Sequence, residues 1–287
     1  MTPPNRAESQ STTDGSAFDG VRVVLCDADG NLFPSEEPAF VASAQISNRF
    51  LAEQGVQRRY DPEELRLATT GMNFRSTLVA LALEHGISVA PELVGTGVPL
   101  PGATQGPVVL TAAVLDQWVQ VEKEAVTAYL RTALHADPEV LEPLTALAER
   151  YGVAAVSSSA DVRIAASFEV TGMAHFFPPD RRFSAEDSLP RPTSKPDPAI
   201  YLHAGKMLGI GPSEGVAVED SVAGATSAVA AGFPTIGNLQ FVQEGERVDR
   251  RAALEQVGVA AVVTSWREVA ELLLASRSRV TGTVTGV

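Results

Sequence analysis

The sequence predicts an α/β fold: a doubly wound, Rossmann-like parallel sheet with a purely helical segment inserted into it. Two observations predict the sheet and a third predicts the insertion. Short apolar runs recur at Val21–Cys26, Val153–Val156, Val216–Val218, Pro234–Ile236 and Ala260–Val263, each with the length and composition of a buried strand. Helical patterns separate the later runs, and strands alternating with helices imply parallel pairing. From about Ser35 to Ala136 the alternation stops and only helical periodicity remains, as expected of a second domain hinged on two linkers.

Taken in order, residues 1–20 are polar and Ser/Thr-rich and read as a disordered tail without the apolar stretch of a signal peptide. Residues 21–34 open the sheet domain. In the inserted domain, 35–136, Ala39, Ala42, Ile46 and Phe50 share one helical face and Gly55 stops that helix. Asp61-Pro62-Glu63-Glu64 resembles a capping box. Phe74, Leu78 and Leu81 fit a further helix, and Val114, Trp118, Val121 and Ala125 begin a longer one, with the Gly/Pro-rich loop Gly95–Gly106 between them. The linkers fall near Leu32–Glu37 and His135–Pro138. The sheet domain resumes over 137–275. There Asp197 caps a helix with Pro198 at its first position and Gly209 at its end, and Ser221 caps another that runs to Gly232. Residues 276–287 read as a second disordered tail.

Hydrophobic residues make up 45% of the 287, ample for a core. The formal net charge of −13 excludes a general nucleic-acid binder and disfavours docking on anionic membranes. It leaves room for a phosphorylated substrate, because a local cation can reverse the field within a cleft. Cys26 is the single cysteine, so no internal disulfide forms. Lying within a strand, it reads as a small buried hydrophobe rather than a nucleophile. No apolar run is long enough to span a membrane, and a soluble cytoplasmic protein fits these features.

Chemistry-bearing residues gather at the ends of the predicted strands. The first strand runs into Asp27-Ala28-Asp29-Gly30-Asn31. Carboxylates at such a position are costly unless they bind a metal or take part in catalysis. The plain alternative is an Asp-Gly turn. The second strand ends at Ser157-Ser158-Ser159, whose hydroxyls and N–H groups can cradle phosphate but which also suit an ordinary loop. Lys195 precedes the next helix and could place a cation over a phosphate; alone it reads as a solvated lysine. Glu219-Asp220 again puts two carboxylates at a strand end, where a helix N-cap is the structural alternative. If the strands are neighbours in one parallel sheet, all four motifs converge on one edge. Four carboxylates with one lysine call for a divalent cation, and an all-oxygen donor set favours Mg²⁺ over Zn²⁺.

This set, in this order, resembles the haloacid dehalogenase superfamily. Asp27-Ala28-Asp29-Gly30-Asn31, Ser157, Lys195 and Glu219-Asp220 stand where its four signature motifs stand, and KPDPAIYLHAGKMLGI and VAVEDSVAGATSAVAAGF fit around them. The similarity spans roughly residues 21–275, with a helical cap between the first two motifs. It is closest to the branch of phosphoglycolate phosphatases, β-phosphoglucomutases and sugar-phosphate phosphatases. The resemblance implies a small phosphorylated metabolite as substrate and roles for each residue. Asp27 is the nucleophile that becomes an aspartyl-phosphate, and Asp29 the general acid and base. Ser157, Ser158 and Lys195 hold the phosphate. Mg²⁺ is bound by Asp27, the Asp29 carbonyl and Asp220, with Glu219 close by.

Asp29 favours phosphate-ester chemistry, since the dehalogenases lack an acid/base aspartate there. Asn31 replaces the Thr or Val of many relatives, and its side chain is expected to face solvent or the cap. A mutase is expected to carry a basic residue directly after the second motif, where this chain has Ala160. Gly71-Met72-Asn73-Phe74-Arg75 resembles the substrate-facing loop of the cap, with Arg75 either a substrate contact or a solvent-facing residue of the first helical turn. A catalytically idle binding module that kept the fold is the alternative from a different class. His85, His135, His175 and His203 lack ligand spacing. Trp118 and Trp266 read as core.

Overall fold

The computed structural model describes residues 15–69, 72–94, 110–191 and 193–282. They form two compact units. One contains the described residues through Phe33, Ala136–Phe168 and those from Gly172 onward; the other contains Pro34–His135 and Glu169–Thr171.

The first unit is built on a parallel sheet of β1 (Val23–Cys26), β2 (Gly152–Ser157), β3 (Arg182–Ser184), β4 (Gly215–Glu219), β5 (Thr235–Asn238) and β6 (Ala261–Val263). The strand order is β3-β2-β1-β4-β5-β6, with parallel pairing at every step. All residues of β1 and β4 are buried, because helices cover both faces of the sheet. On one side Leu25, Val156, Ile200, Tyr201 and Phe233 form a single cluster. Fully burying an apolar side chain of this size contributes about 1.5–3 kcal/mol. The five expected strands are present with their ends moved by one or two residues. β3 is additional: three residues at a sheet edge carry no periodicity from which to infer a strand.

In the second unit α1 (Glu36–Glu53), α2 (Pro62–Ala68), α3 (Phe74–Glu84) and α4 (Ala112–Ala133) pack around Phe50, Leu65, Leu78, Leu81, Leu115 and Trp118. Their starts follow from capping chemistry. Asp61 accepts a hydrogen bond from the Glu64 N–H, Asn73 from that of Ser76 and Thr111 from that of Val114. Glu64 turns its carboxylate to Arg58. The buried residues of α4 are Leu115, Trp118, Val126 and Leu130, and the expected Val114, Val121 and Ala125 pack partly buried against the same cluster. Gly71 and the loop Gly95–Gly106 lie outside the described residues.

The sheet unit is completed by α5 (Pro138–Ala148), α6 (Asp161–Val170, its last two residues counted with the helical unit), α7 (Ala199–Leu208), α8 (Val222–Ala230), α9 (Arg247–Val257) and α10 (Trp266–Gly282). α7 begins one residue later than expected, with the Asp197 carboxylate accepting from the Ala199 N–H at 2.9 Å. Both expected tails are shorter at their inner ends. Residues Gly15–Phe18 form a 3₁₀ turn whose Phe18 is buried, because one large apolar residue within a polar stretch has a core to enter. At the other end α10 continues to Gly282, beyond position 276.

Candidate active site

The strand order reverses direction between β1 and β4, since β1 pairs with β2 on one side and β4 on the other. Ligands in open α/β sheets bind at the carboxyl ends of strands at such a switch point. Asp27 follows β1 and donates its N–H to the Val218 carbonyl at 3.0 Å, extending the ladder by one bond. Glu219 ends β4 and Asp220 comes next. The carboxylates of Asp27, Glu219 and Asp220 are buried, with oxygen atoms within 4.8 Å of one another.

Lys195 meets this cluster from the loop before α7. Its Nζ donates to Asp27 Oδ1 at 2.5 Å, Glu219 Oε1 at 2.6 Å and the Val156 carbonyl at 2.8 Å, using all three protons. The Tyr201 hydroxyl donates to the same Glu219 Oε1 at 2.5 Å. Burial pushes the Asp27 carboxyl well above the usual carboxylate range; Lys195 pulls it back, and Glu219 and Asp220 push it up again. Burial alone would lower the Lys195 ammonium, but attraction to Asp27 and Glu219 overrules it and raises the group. Burial and the Glu219 charge raise the Tyr201 hydroxyl.

The cluster fits a divalent cation. Three carboxylates face one ammonium, with the Arg250 guanidinium 4.0 Å from Asp220. The donors are all oxygen, the set a hard cation prefers. Glu219 Oε2 is buried without a hydrogen-bond partner, an arrangement that costs about 1–3 kcal/mol or more unless a cation or water meets it. Two glycines make the close approaches possible. A Cβ on Gly224 would stand 1.8 Å from Glu219 Oε2, and one on Gly30, which has φ +79°, would stand 2.6 Å from Asp220 Oδ2.

The end of β2 supplies the hydroxyls. Ser157 is buried and its Oγ accepts from the Ser159 N–H at 3.0 Å. Ser158 Oγ accepts from the Lys195 N–H at 3.1 Å, tying the second motif to the third. Asp29 lies outside the three-carboxylate cluster. Ser159 Oγ donates to its Oδ2 at 2.6 Å and Arg163 pairs with its Oδ1 at 3.2 Å. Arg75 belongs to the helical unit and pairs there with Asp116.

Sequence reasoning missed Tyr201, Arg163 and the surroundings of Asn31. Tyr201 lies within the quoted KPDPAIYLHAG stretch, and its place six residues after Lys195 was the available signal. Arg163 lies in the first turn of α6, three residues past the position where a basic group was sought. Asn31 does not face solvent: it is fully buried, and its amide bonds within the sheet unit to the Asp27 carbonyl, the Val218 carbonyl and Asn238. The tight turn at Gly30 folds the side chain back beneath the strand ends. Trp118 and Trp266 are core, as expected. His85 bonds to the Tyr60 hydroxyl, and no histidine joins a metal-capable group among the described residues.

The sequence matches the family model for haloacid dehalogenase-like hydrolases over residues 21–232. It is 28% identical over 213 residues to the 6-phosphogluconate phosphatase of Escherichia coli (strain K12), covering 74% of this chain and 80% of that protein. A HAD family hydrolase from Deinococcus radiodurans R1, solved with bound phosphate and sodium, superposes with a TM-score of 0.59 and 26% identity, covering 94% of this chain and 100% of that one. CbbY from Rhodobacter sphaeroides, in complex with phosphate, shares the fold with a TM-score of 0.62 and 21% identity, over 90% of this chain and 99% of that one.

Proposed function

The chain belongs to the haloacid dehalogenase-like hydrolases, and on that premise we propose that it is a Mg²⁺-dependent phosphatase that cleaves a small phosphorylated metabolite through an aspartyl-phosphate on Asp27. The observation that carries this reading is the meeting of Asp27, Glu219 and Asp220 with Lys195 at the β1–β4 junction. A nucleophile, a set of oxygen ligands and a cation able to pair with phosphate stand together where the fold concentrates ligands. An idle binding module has no need for all three.

Asp27, the Asp29 carbonyl and Asp220 would hold the Mg²⁺, with Glu219 beside them. Bound there, the ion would offset the repulsion between Asp27 and an incoming phosphate. An Asp27 oxygen attacks phosphorus in line. The bond to the ester oxygen breaks, and that oxygen takes a proton from Asp29. Asp29 then removes a proton from water, the water oxygen bonds to phosphorus, and the Asp27–phosphorus bond breaks to release inorganic phosphate. Lys195, Ser157 and Ser158 hold the phosphate oxygens and compensate the charge that spreads over them. Ser159 and Arg163 keep the Asp29 carboxylate aimed between turnovers. Arg75, paired with Asp116 within the helical unit, is the candidate of that unit for recognising the rest of the substrate.

The Escherichia coli relative is named for 6-phosphogluconate and the Deinococcus radiodurans hydrolase holds phosphate, so sugar phosphates and sugar-acid phosphates head the substrate class. One observation favours a second reading, a phosphosugar mutase: the Arg163 Nε is buried without a partner, and this guanidinium could receive a second phosphate. Phosphate release from a panel of sugar phosphates, 6-phosphogluconate, phosphoglycolate and nucleotides, with Mg²⁺ and with chelator, tests the phosphatase. Metal-dependent release is expected. Isomerisation that requires a bisphosphate activator and yields little phosphate would replace it with the mutase.

A further inference from the structure

We infer that Asn31 is a positioning residue that locks the backbone of the nucleophile to the strand carrying the metal-site carboxylates. The inference rests on the roles proposed for Asp27, Glu219 and Asp220.

The Asn31 amide uses every polar atom it has. Its Nδ2 donates to the Asp27 carbonyl and to the Val218 carbonyl, each at 3.0 Å. Its Oδ1 accepts from Asn238 Nδ2 at 3.0 Å. Two carbonyl acceptors on one side can be met only by the NH₂ group, so the amide has one workable orientation. The same logic fixes Asn238, whose Oδ1 accepts from the Gln240 N–H at 3.1 Å. The Asn31 backbone carbonyl accepts from the Trp266 indole at 2.7 Å, and the Trp266 N–H donates to Gln240 Oε1 at 2.7 Å. A closed ring of bonds thus joins the ends of β1, β4 and β5 to the start of α10.

The position of the two accepting carbonyls gives the ring its consequence. One belongs to Asp27 itself. The other belongs to Val218, immediately before Glu219, and already accepts the Asp27 N–H. The ladder between β1 and β4 ends at that bond, and the chain turns away at Gly30. The Asn31 amide adds a rung beyond the end of the ladder. It fixes how far the Asp27 carboxylate stands from those of Glu219 and Asp220. Thr or Val at position 31 could not bridge both carbonyls: a Thr hydroxyl has a single proton, and Val has none. Residues that orient ligands of a metal site commonly cost 10–100-fold in metal affinity or activity when changed, and small displacements of reacting groups cost about 10²-fold.

The test is Asn31→Thr, which keeps most of the volume, alongside Asn238→Ala, which removes the donor to Asn31 Oδ1 together with the acceptor of the Gln240 N–H. Wild type and both variants are compared by Mn²⁺ titration calorimetry, by kcat and KM for the best phosphate ester, and by thermal melting. Well below the melting transition, Asn31→Thr is expected to weaken Mn²⁺ binding by about tenfold or more and to lower kcat by about 100-fold. KM should stay within about twofold. Asn238→Ala should move the same quantities in the same direction by less. Melting that shifts while Mn²⁺ affinity and kcat stay at wild-type values would overturn the inference and leave a structural role. So would a loss in Asn31→Thr that Asn238→Ala does not share. A wild-type protein that neither binds Mn²⁺ nor turns over would instead overturn the proposed function, and this inference with it.

Discussion

Cys26 and Asp27 are neighbours in the chain with opposite surroundings. The Cys26 side chain is sealed within the sheet, where burial, and then the Asp27 charge, push the thiol far above its ordinary pKa. Such a thiol is inert, because only the exposed thiolate reacts. Native protein at neutral pH should therefore resist alkylation, and denatured protein should label fully; mass spectrometry reads both, and rapid native labelling would contradict the burial. Asp29 is half-open and held by Ser159 and Arg163. Asp29→Asn should slow turnover by about 10²–10⁴-fold, the usual scale of general acid–base catalysis, and wild-type rates in that variant would remove it from the mechanism. At this scale the sequence was most legible where a residue type was costly in its context, as with the carboxylates at the ends of β1 and β4. It was least legible for Asn31 and Asn238. An asparagine in a turn is ordinary, and only the folded strand ends show what its amide meets.

At the level of elements, α8 shows how a helix can be shaped by the site next to it. Replacing a helical glycine with alanine normally stabilises by roughly 0.5–1 kcal/mol. Position 224 should reverse that sign, because the added carbon would stand 1.8 Å from Glu219 Oε2. Relieving the clash means moving Glu219 or the helix, at about 1–3 kcal/mol. Gly224→Ala should lower the denaturant midpoint and weaken metal activation together; a midpoint at or above that of wild type would show that the helix yields without cost. The capping residue Asp61 announced α2 in the sequence because its hydrogen bond is local. β3 did not announce itself: Arg182–Ser184 is held by pairing with Ala155, Val156 and Ser157, residues distant in the chain. On α4 the expected Val114, Val121 and Ala125 pack partly buried against the core beside buried Trp118, and packing adds Leu115, Val126 and Leu130, because several overlapping apolar faces are available.

For the whole molecule, the decisive property is the order β3-β2-β1-β4-β5-β6. It sets side by side the ends of two strands that lie nearly two hundred residues apart in sequence, and so makes one site from Asp27 and Glu219-Asp220. Convergence of the four motifs was legible because parallel strands point their carboxyl ends the same way. Substrate choice was not, since it depends on side chains whose neighbours are set by tertiary packing, as the pairing of Arg75 with Asp116 illustrates. The proposed mechanism turns on Asp27 carrying the phosphoryl group. The most direct measurement is rapid acid quench of the protein turning over its best phosphate ester with Mg²⁺, followed by mass analysis of the peptide containing position 27. One phosphoryl group is expected on Asp27, lost with chelator and absent in a folded but inactive Asp27→Asn variant. Steady turnover by Asp27→Asn, or a phosphoryl group trapped on another residue, would contradict it.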